Sequence, residues 1–168
     1  RYEYADGSKE FLPWNAANGK TEFPSPRPLY RLPQLLKNNV IILVEGEKCA
    51  DALAAAGFAA TTLMGGANTR IEKTDLSPLK GKDIILWPDN DEPGRKYADN
   101  VAEALLKLPV SSLKITPLTP DKPAKWDAAD AVAEKFDIAG HLAKAEIYKL
   151  QEKTESSGRL KIADFTGE

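Results

Sequence analysis

The sequence predicts an α/β domain built on a mostly parallel four-stranded sheet with flanking helices, preceded by a small β-rich segment. Two observations lead to this prediction. Apolar, β-branched runs that are typical of buried strands alternate with stretches of helical periodicity. That alternation begins only near Leu32, and the residues before it are rich in proline and in turn signals.

The chain therefore divides into three predicted parts: a β-rich lead-in (residues 1–37), the α/β domain (38–150) and a polar tail or linker (151–168). In the lead-in, Asp6-Gly7-Ser8 separates two short stretches of strand character, which predicts a hairpin. Three prolines between residues 24 and 28 then favour extended chain and exclude a helix there.

Four strands and four helices are predicted in the α/β domain. The strands cover residues 40–44, 59–64, 84–87 and 113–118. The helices cover residues 47–56, 93–108, 125–136 and 138–149. The second helix is the clearest, because a proline stands in its first turn and Val101, Leu105 and Leu108 fall on one face.

Composition narrows the function classes. Cys49 is the only cysteine and His141 the only histidine, which excludes an internal disulfide and a Cys/His zinc site. We predict that His141 packs in the interior or lies at the surface. The longest apolar run, residues 40–44, is too short to cross a membrane. A net charge of -2 lacks the basic excess of a free-standing DNA binder, so nucleic-acid contact would rest on local basic patches, metal ions or other parts of the protein. Because the chain begins with Arg1, we expect a processed chain or a piece of a longer protein.

Ligands in an open parallel sheet bind at the carboxyl ends of its strands, so the residues just after each strand are the candidates for ligand binding. Glu45 ends the first apolar run, which would place its carboxylate at the rim of the sheet. Gly46 would let the backbone turn sharply and a ligand approach closely. The alternative is that Glu45 is only a favourable charge at a helix N-terminus.

A second acidic group follows the third strand. Asp89 and Asp91 are two residues apart, so on extended chain both side chains point the same way and repel each other. A bound cation would relieve that repulsion, and hard oxygen ligands select Mg²⁺ or Mn²⁺. Arg95 and Lys96 open the next helix, where cations and backbone N–H groups suit a phosphate. The alternative is a polar loop in which an aspartate caps the helix.

Two further loops are expected at the same edge. Gly65 and Gly66 follow the second strand, where such a loop either wraps a phosphate or merely turns the chain. We favour phosphate binding because of the position of the loop at the strand end. Asp127 follows the fourth strand and is either the N-cap of the next helix or an outer metal ligand.

These residues resemble a known family. The segments Val44-Glu45-Gly46-Glu47-Lys48, Gly65-Gly66 and Asp89-Asn90-Asp91-Glu92-Pro93-Gly94-Arg95-Lys96 are similar to the toprim domain, over roughly residues 38–144. That domain is shared by bacterial-type primases, type IA and type II topoisomerases, and certain nucleases and recombination proteins. The helix opening and the segment Arg27-Pro28-Leu29-Tyr30-Arg31-Leu32 most resemble the primases and primase–helicases of phages and mobile elements.

The resemblance implies roles for individual residues. The family glutamate falls on Glu45, as general acid or base or as a metal ligand, and the family aspartates that bind Mg²⁺ fall on Asp89 and Asp91. A later acidic motif falls near Asp127 and Asp130. Many primases carry an aspartate where this chain has Cys49, so we expect one metal contact to be missing or to be supplied by Glu47 or Asp51.

The implied function is Mg²⁺-dependent nucleotidyl transfer by a DNA primase on single-stranded DNA. The implied location is a bacterial cytoplasm, with a phage or plasmid as an expected source of the gene. Lys48, Gly46, Gly65, Gly66, Arg95 and Lys96 are the candidate phosphate contacts. Implied partners are the DNA template, nucleoside triphosphates and a helicase domain or protein, with no membrane. Two alternatives stay open: a toprim nuclease that hydrolyses phosphodiesters, and a non-catalytic toprim interaction module.

Overall fold

A computed structural model describes residues 2–3, 5–7, 9–10, 13–16, 18–65 and 69–149. The predicted tail at 151–168 and the candidate Gly66 lie outside the described residues. In the lead-in, strands β1 (Tyr2–Glu3) and β2 (Lys9–Glu10) pair antiparallel, which confirms the hairpin. Within the described part of the chain, no helix is both long and apolar enough to cross a membrane.

The rest of the described chain alternates strands and helices, as predicted. The strands are β3 (Val40–Leu43), β4 (Ala60–Thr61), β5 (Asp83–Leu86), β6 (Ser112–Ile115) and β7 (Glu146–Ile147). The helices are α1 (Leu32–Leu35), α2 (Glu47–Ala55), α3 (Glu92–Leu105), α4 (Ala128–Ala133) and α5 (Ile138–Ala143).

The sheet has five strands in the order β4-β3-β5-β6-β7. The first four run parallel, and β3 lies directly beside β5, with Leu43 opposite Leu86. The predicted α/β class and mostly parallel sheet are therefore confirmed. This register also brings the carboxyl ends of β3 and β5 to the same edge of the sheet. The acidic residues that follow the two strands therefore lie at that edge.

The prediction of four strands was one short, and the predicted helix at 138–149 was wrong in its second half. Helix α5 ends at Ala143, and the chain then forms β7, antiparallel to β6. The physical reason is that β7 is only two residues long and both are exposed, so no periodicity marks it in the sequence. Ile147 is exposed while Tyr148 is buried in the core and donates its backbone N–H to Leu113.

Two buried layers enclose the sheet. Helix α3 covers one face through Tyr97, Ala98, Val101, Ala102 and Leu105, and helices α2 and α4 cover the other. Leu29 and Leu35 of the lead-in are buried in the first layer. The stretch before the α/β domain is thus fastened to it, although the exact domain boundary stays a prediction.

The predicted helix at 125–136 begins later than expected. Lys125 has a φ of 65°, a left-handed conformation that a right-handed helix does not contain. Asp127 is the N-cap of α4, because its side-chain oxygen accepts the backbone N–H of Asp130. Asp130 completes a capping box with the backbone N–H of Asp127. The capping alternative for Asp127 is therefore confirmed.

Candidate metal centre

Glu45 lies at the carboxyl edge of the sheet, two residues beyond the end of β3. Its side chain is half-buried between the strand ends. Burial raises the pKa of the Glu45 carboxyl above its ordinary value, and the charge of Asp91 raises it further. The two acidic groups that the sequence placed behind β3 and β5 are therefore close enough to interact.

Asp91 begins helix α3 as its N-cap. One carboxylate oxygen, Oδ1, accepts the backbone N–H of Gly94 at 2.8 Å. The backbone N–H of Asp91 in turn donates to the carbonyl of Asp89 at 2.8 Å, which makes a tight turn between the two aspartates. The capping alternative for Asp91 is confirmed, and no hydrogen bond joins its Oδ2 to another described residue.

Asp89 is the centre of the acidic group. Burial raises the pKa of its carboxyl to about 7, and the charges of Glu45, Asp127, Asp91 and Asp130 act in the same direction. Carboxylates from three different loops thus repel one another around one half-buried side chain. An arrangement of this kind is costly unless a positive charge balances it.

Carboxylate oxygens are the ligands that Mg²⁺ and Mn²⁺ prefer, so the donor set fits the implied ion in chemistry and in charge. In the described ranges, no three acidic, histidine or cysteine side chains lie close enough together to bind a metal ion without moving. The residues that would hold the ion are Asp89, Asp91 and Glu45.

Asp127 is less available than these three. Its Oδ1 accepts the backbone N–H of Asp130 at 2.8 Å, and its Oδ2 pairs with the ammonium of Lys48 at 3.2 Å. Lys48 also lies 3.7 Å from Asp130. Lys48 therefore stands beside the acidic group as a cation, and Asp127 would have to release it to bind a metal.

Cys49 occupies the position where many primases have an aspartate. Its thiol is buried, which raises its pKa to about 12, and it lies within the influence of Asp127 and Asp89. A neutral thiol cannot supply the missing charge. Asp51, named above as a substitute, is engaged instead by the Tyr30 hydroxyl at 3.0 Å and the Arg31 guanidinium at 2.6 Å.

The predicted phosphate-binding residues differ in their exposure and in the partners that they already have. Lys96 is exposed on the first turns of α3. Arg95 is half-buried and lies 3.7 Å from Asp99 along the same helix, so binding a phosphate would compete with that ion pair. Gly65 is exposed at the carboxyl end of β4 with a φ of +109°. The chain bends at Glu45 and Gly46, as expected, although Gly46 itself has an ordinary extended backbone (φ -137°). Nothing lies within 4 Å of where its Cβ would be.

Asn90, between the two aspartates, is a residue whose role the sequence did not reveal. Its side-chain amide donates to the carbonyls of Thr119 (3.0 Å), Lys122 (2.9 Å) and Pro123 (3.1 Å) and accepts the Thr119 N–H (2.9 Å). Its backbone N–H donates to Trp126. Asparagine is a common turn residue, so its neighbours in the sequence do not indicate that it bonds to residues 29 to 36 positions away.

Asn90 therefore ties the loop of Asp89 and Asp91 to the loop that ends at Asp127. We expect Asn90→Ala to cost about 2 kcal/mol of unfolding free energy, because the part-buried carbonyls of Thr119 and Lys122 lose their donor. Chemical denaturation measures this cost. Asn100→Ala, at an exposed position of α3, is the matched control and should change stability by less than about 0.5 kcal/mol. Equal stability of the two variants would contradict the role assigned to Asn90.

His141 is buried in an aromatic cluster. Its ring lies 4.6 Å from Trp87 and 5.6 Å from Phe136, centroid to centroid, and burial lowers its pKa. Trp126 packs in the same cluster, 5.1 Å from Phe136. The packing role predicted for His141 is confirmed.

Residues 40–118 match the family model of the Toprim domain. A chain of a solved structure, described as the bacteriophage T7 lagging-strand DNA polymerase interacting with primase domains of two gp4 subunits bound to an RNA/DNA hybrid and dTTP, aligns with a TM-score of 0.52 and 22% identity. The alignment covers 66% of this chain and 56% of the T7 chain, and likeness at that identity shows the fold. No curated protein matches the chain.

Proposed function

We propose, from the premise that residues 40–118 are a Toprim domain, that the chain is the catalytic domain of a DNA primase. It would join nucleotides on a single-stranded DNA template during replication, with nucleoside triphosphates as substrates. The observation that supports catalysis most directly is the retention of Glu45, Asp89 and Asp91 at one edge of the sheet, with the pKa values of Glu45 and Asp89 raised by burial and mutual repulsion.

The reaction is attack of a 3′-hydroxyl oxygen on the α-phosphorus of a nucleoside triphosphate. A phosphorus–oxygen bond forms, the bond to pyrophosphate breaks, and the hydroxyl proton must be accepted. In this proposal Glu45 would accept it, and the raised pKa of its carboxyl supports this role because it favours proton uptake. Mg²⁺ on Asp89 and Asp91 would neutralise the charge that develops on the phosphate.

Other residues of the chain would bind and orient the substrates. Lys48 and Lys96 are exposed cations at the starts of α2 and α3, where backbone N–H groups also favour phosphate. Arg95 would join them on leaving Asp99. The small basic surface and the net charge of -2 suit a domain that acts with a helicase domain or protein, in a bacterial cytoplasm, rather than a free-standing DNA binder.

Product analysis tests this proposal against its two rivals. The protein is incubated with single-stranded DNA, the four ribonucleoside triphosphates and Mg²⁺ or Mn²⁺, and the products are resolved on a sequencing gel. We expect short RNA products that depend on the template. Cleaved template without incorporation would replace the primase by a nuclease. If neither product forms and calorimetry detects no Mg²⁺ or Mn²⁺ binding, the chain is a non-catalytic module.

A further inference from the structure

Lys48 lies where a lysine is electrostatically unfavourable. It is the second residue of α2 (Glu47–Ala55), and the N-terminal end of a helix carries a partial positive charge that repels a cation. Its side chain is 70% exposed, so water alone would solvate the ammonium. The ammonium nevertheless lies 3.2 Å from Oδ2 of Asp127 and 3.7 Å from Oδ1 of Asp130. These two acids therefore offset the unfavourable position of Lys48.

The capping box of α4 fixes the two carboxylates that Lys48 meets. Oδ1 of Asp127 accepts the backbone N–H of Asp130 at 2.8 Å, and Oδ2 of Asp130 accepts the backbone N–H of Asp127 at 3.2 Å. Each carboxylate keeps one further oxygen, and these two oxygens are the ones within ion-pair distance of the ammonium. Ala50 and Ala128, in the first turns of the two helices, belong to one buried cluster. The position beside the two oxygens therefore suits a cation, and Lys48 supplies it.

The two acids that pair with Lys48 belong to the acidic group of the candidate metal centre. Five carboxylates interact in this group: Glu45, Asp89, Asp91, Asp127 and Asp130. Among the residues that the structure describes, Lys48 is the one cation within ion-pair distance of any of them. The ammonium balances charge at Asp127 and Asp130, and the other three carboxylates have no cation beside them in this part of the chain.

A lysine and a divalent ion would compete for Asp127 and Asp130. Mg²⁺ and Mn²⁺ keep several waters and often bind through only one or two carboxylates, so two fixed oxygens are enough to hold such an ion. The ammonium is attached to the chain and is always present at this position, whereas a metal ion has to come from solution and displace it. The pKa of Lys48 is raised, first by its hydrogen bond to Asp127, so the side chain stays charged at neutral pH.

We infer that Lys48 is an internal counter-ion that keeps metal away from Asp127 and Asp130, so that the centre binds one divalent ion, on Asp89, Asp91 and Glu45. The inference deepens the proposed function and rests on it for the kind of ion. An ammonium has three N–H donors, so its pairing with two carboxylates leaves one for a substrate. Lys48 would thus set the number of ions that the acidic group takes.

A manganese titration counts these ions. Free Mn²⁺ is followed by electron paramagnetic resonance as it is added to the wild type, Lys48→Met and Lys96→Met. Lys96 is the matched control, because it is an exposed lysine at the start of α3 for which the structure describes no ion pair with the five carboxylates. We expect one bound Mn²⁺ per chain in the wild type and in Lys96→Met, and two in Lys48→Met.

Two further variants test the charge and locate the second ion. Lys48→Arg keeps the positive charge and should bind one Mn²⁺, like the wild type. In the double variant Lys48→Met with Asp127→Asn, the asparagine keeps the capping oxygen but not the charge, so the count should return to one. Thermal melts verify that each variant folds, and Lys48→Met should melt near the wild type because exposed ion pairs stabilise little.

The wild-type count needs no variant, and two Mn²⁺ per wild-type chain would overturn the inference. One Mn²⁺ in folded Lys48→Met, or two in the double variant, would overturn it as well and leave Lys48 with an ordinary surface ion pair. These results leave the proposed function intact, since ions are counted without synthesis. If no variant binds Mn²⁺, the metal centre of the proposed function is refuted, and the inference with it.

Discussion

Asp89→Asn is expected to reduce template-directed nucleotide incorporation by at least about 100-fold, the loss typical of removing a group that stabilises transition-state charge. Asp89 is the most perturbed of the three acidic residues, and carboxylates from two other loops, as well as that of Asp91 in its own loop, act on it. Glu45→Gln should have an effect of similar size, because an amide cannot accept the hydroxyl proton. Incorporation is measured at saturating nucleotide over a range of Mg²⁺ concentrations.

Glu72→Gln is the matched control for these two variants. Glu72 is an exposed acid on the short helical turn Ile71–Lys73, where no acidic cluster member lies nearby in sequence. It should retain wild-type incorporation. If Asp89→Asn and Glu45→Gln both synthesise primers at near the wild-type rate, the proposed chemistry is wrong.

The same Asp89 substitution should stabilise the protein when no divalent cation is present. The pKa of Asp89 is raised to about 7 in the folded chain, so the folded state keeps a proton that the unfolded chain releases. Stability therefore falls as the pH rises from the ordinary aspartate range, about 4, to about 7. Above that pH range the ionised Asp89 lowers the free energy of unfolding by on the order of 2 kcal/mol, after allowance for solvent screening at this half-buried position.

Thermal melts in chelator at about pH 8 and about pH 4.5 measure this effect. Asp89→Asn should melt several degrees above the wild type at the higher pH, and the gap should shrink at the lower one. Mg²⁺ should raise the melting temperature of the wild type but not of the variant. A variant that is less stable than wild type at the higher pH would contradict the repulsion among these carboxylates.

Gly94→Val is the second change with a large expected effect. A Cβ at Gly94 would lie 2.6 Å from the carbonyl oxygen of Asp89 and 2.9 Å from its Cβ and backbone nitrogen. Two of these atoms are backbone, so the clash can be relieved only by moving the turn or the start of α3. We expect a loss of about 3 kcal/mol of unfolding free energy, the range for overpacking at a rigid contact.

Gly94→Val should also reduce incorporation, because the displaced turn carries both Asp89 and Asp91. Gly46→Ala is the matched control for stability, since its backbone is ordinary extended chain and no atom lies within 4 Å of the added Cβ. Denaturant unfolding compares the two. If Gly94→Val unfolds at the same denaturant concentration as Gly46→Ala, the close approach of Asp89 to Gly94 does not restrict this turn.

Local patterns in the sequence determined much of the fold. The apolar runs predicted β3 and β5, and the amphipathic spacing with its early proline predicted α3, because burial periodicity and backbone preference are properties of neighbouring residues. The rule that ligands bind at strand ends then selected Glu45, Asp89 and Asp91, and the parallel pairing of β3 with β5 brought them to one edge. Their metal-binding and catalytic roles stay predictions.

Only the tertiary structure decided what depends on partners distant in the chain. The side chain of Asn90 bonds across the loop 119–126, the ammonium of Lys48 pairs with Asp127, and the guanidinium of Arg27 donates to the carbonyl of Met64. Each of these contacts joins segments far apart in sequence. Strand β7 likewise forms because β6 offers it an edge. A sequence records which donors, acceptors and charges a chain possesses, but the partner that satisfies each of them is chosen by packing.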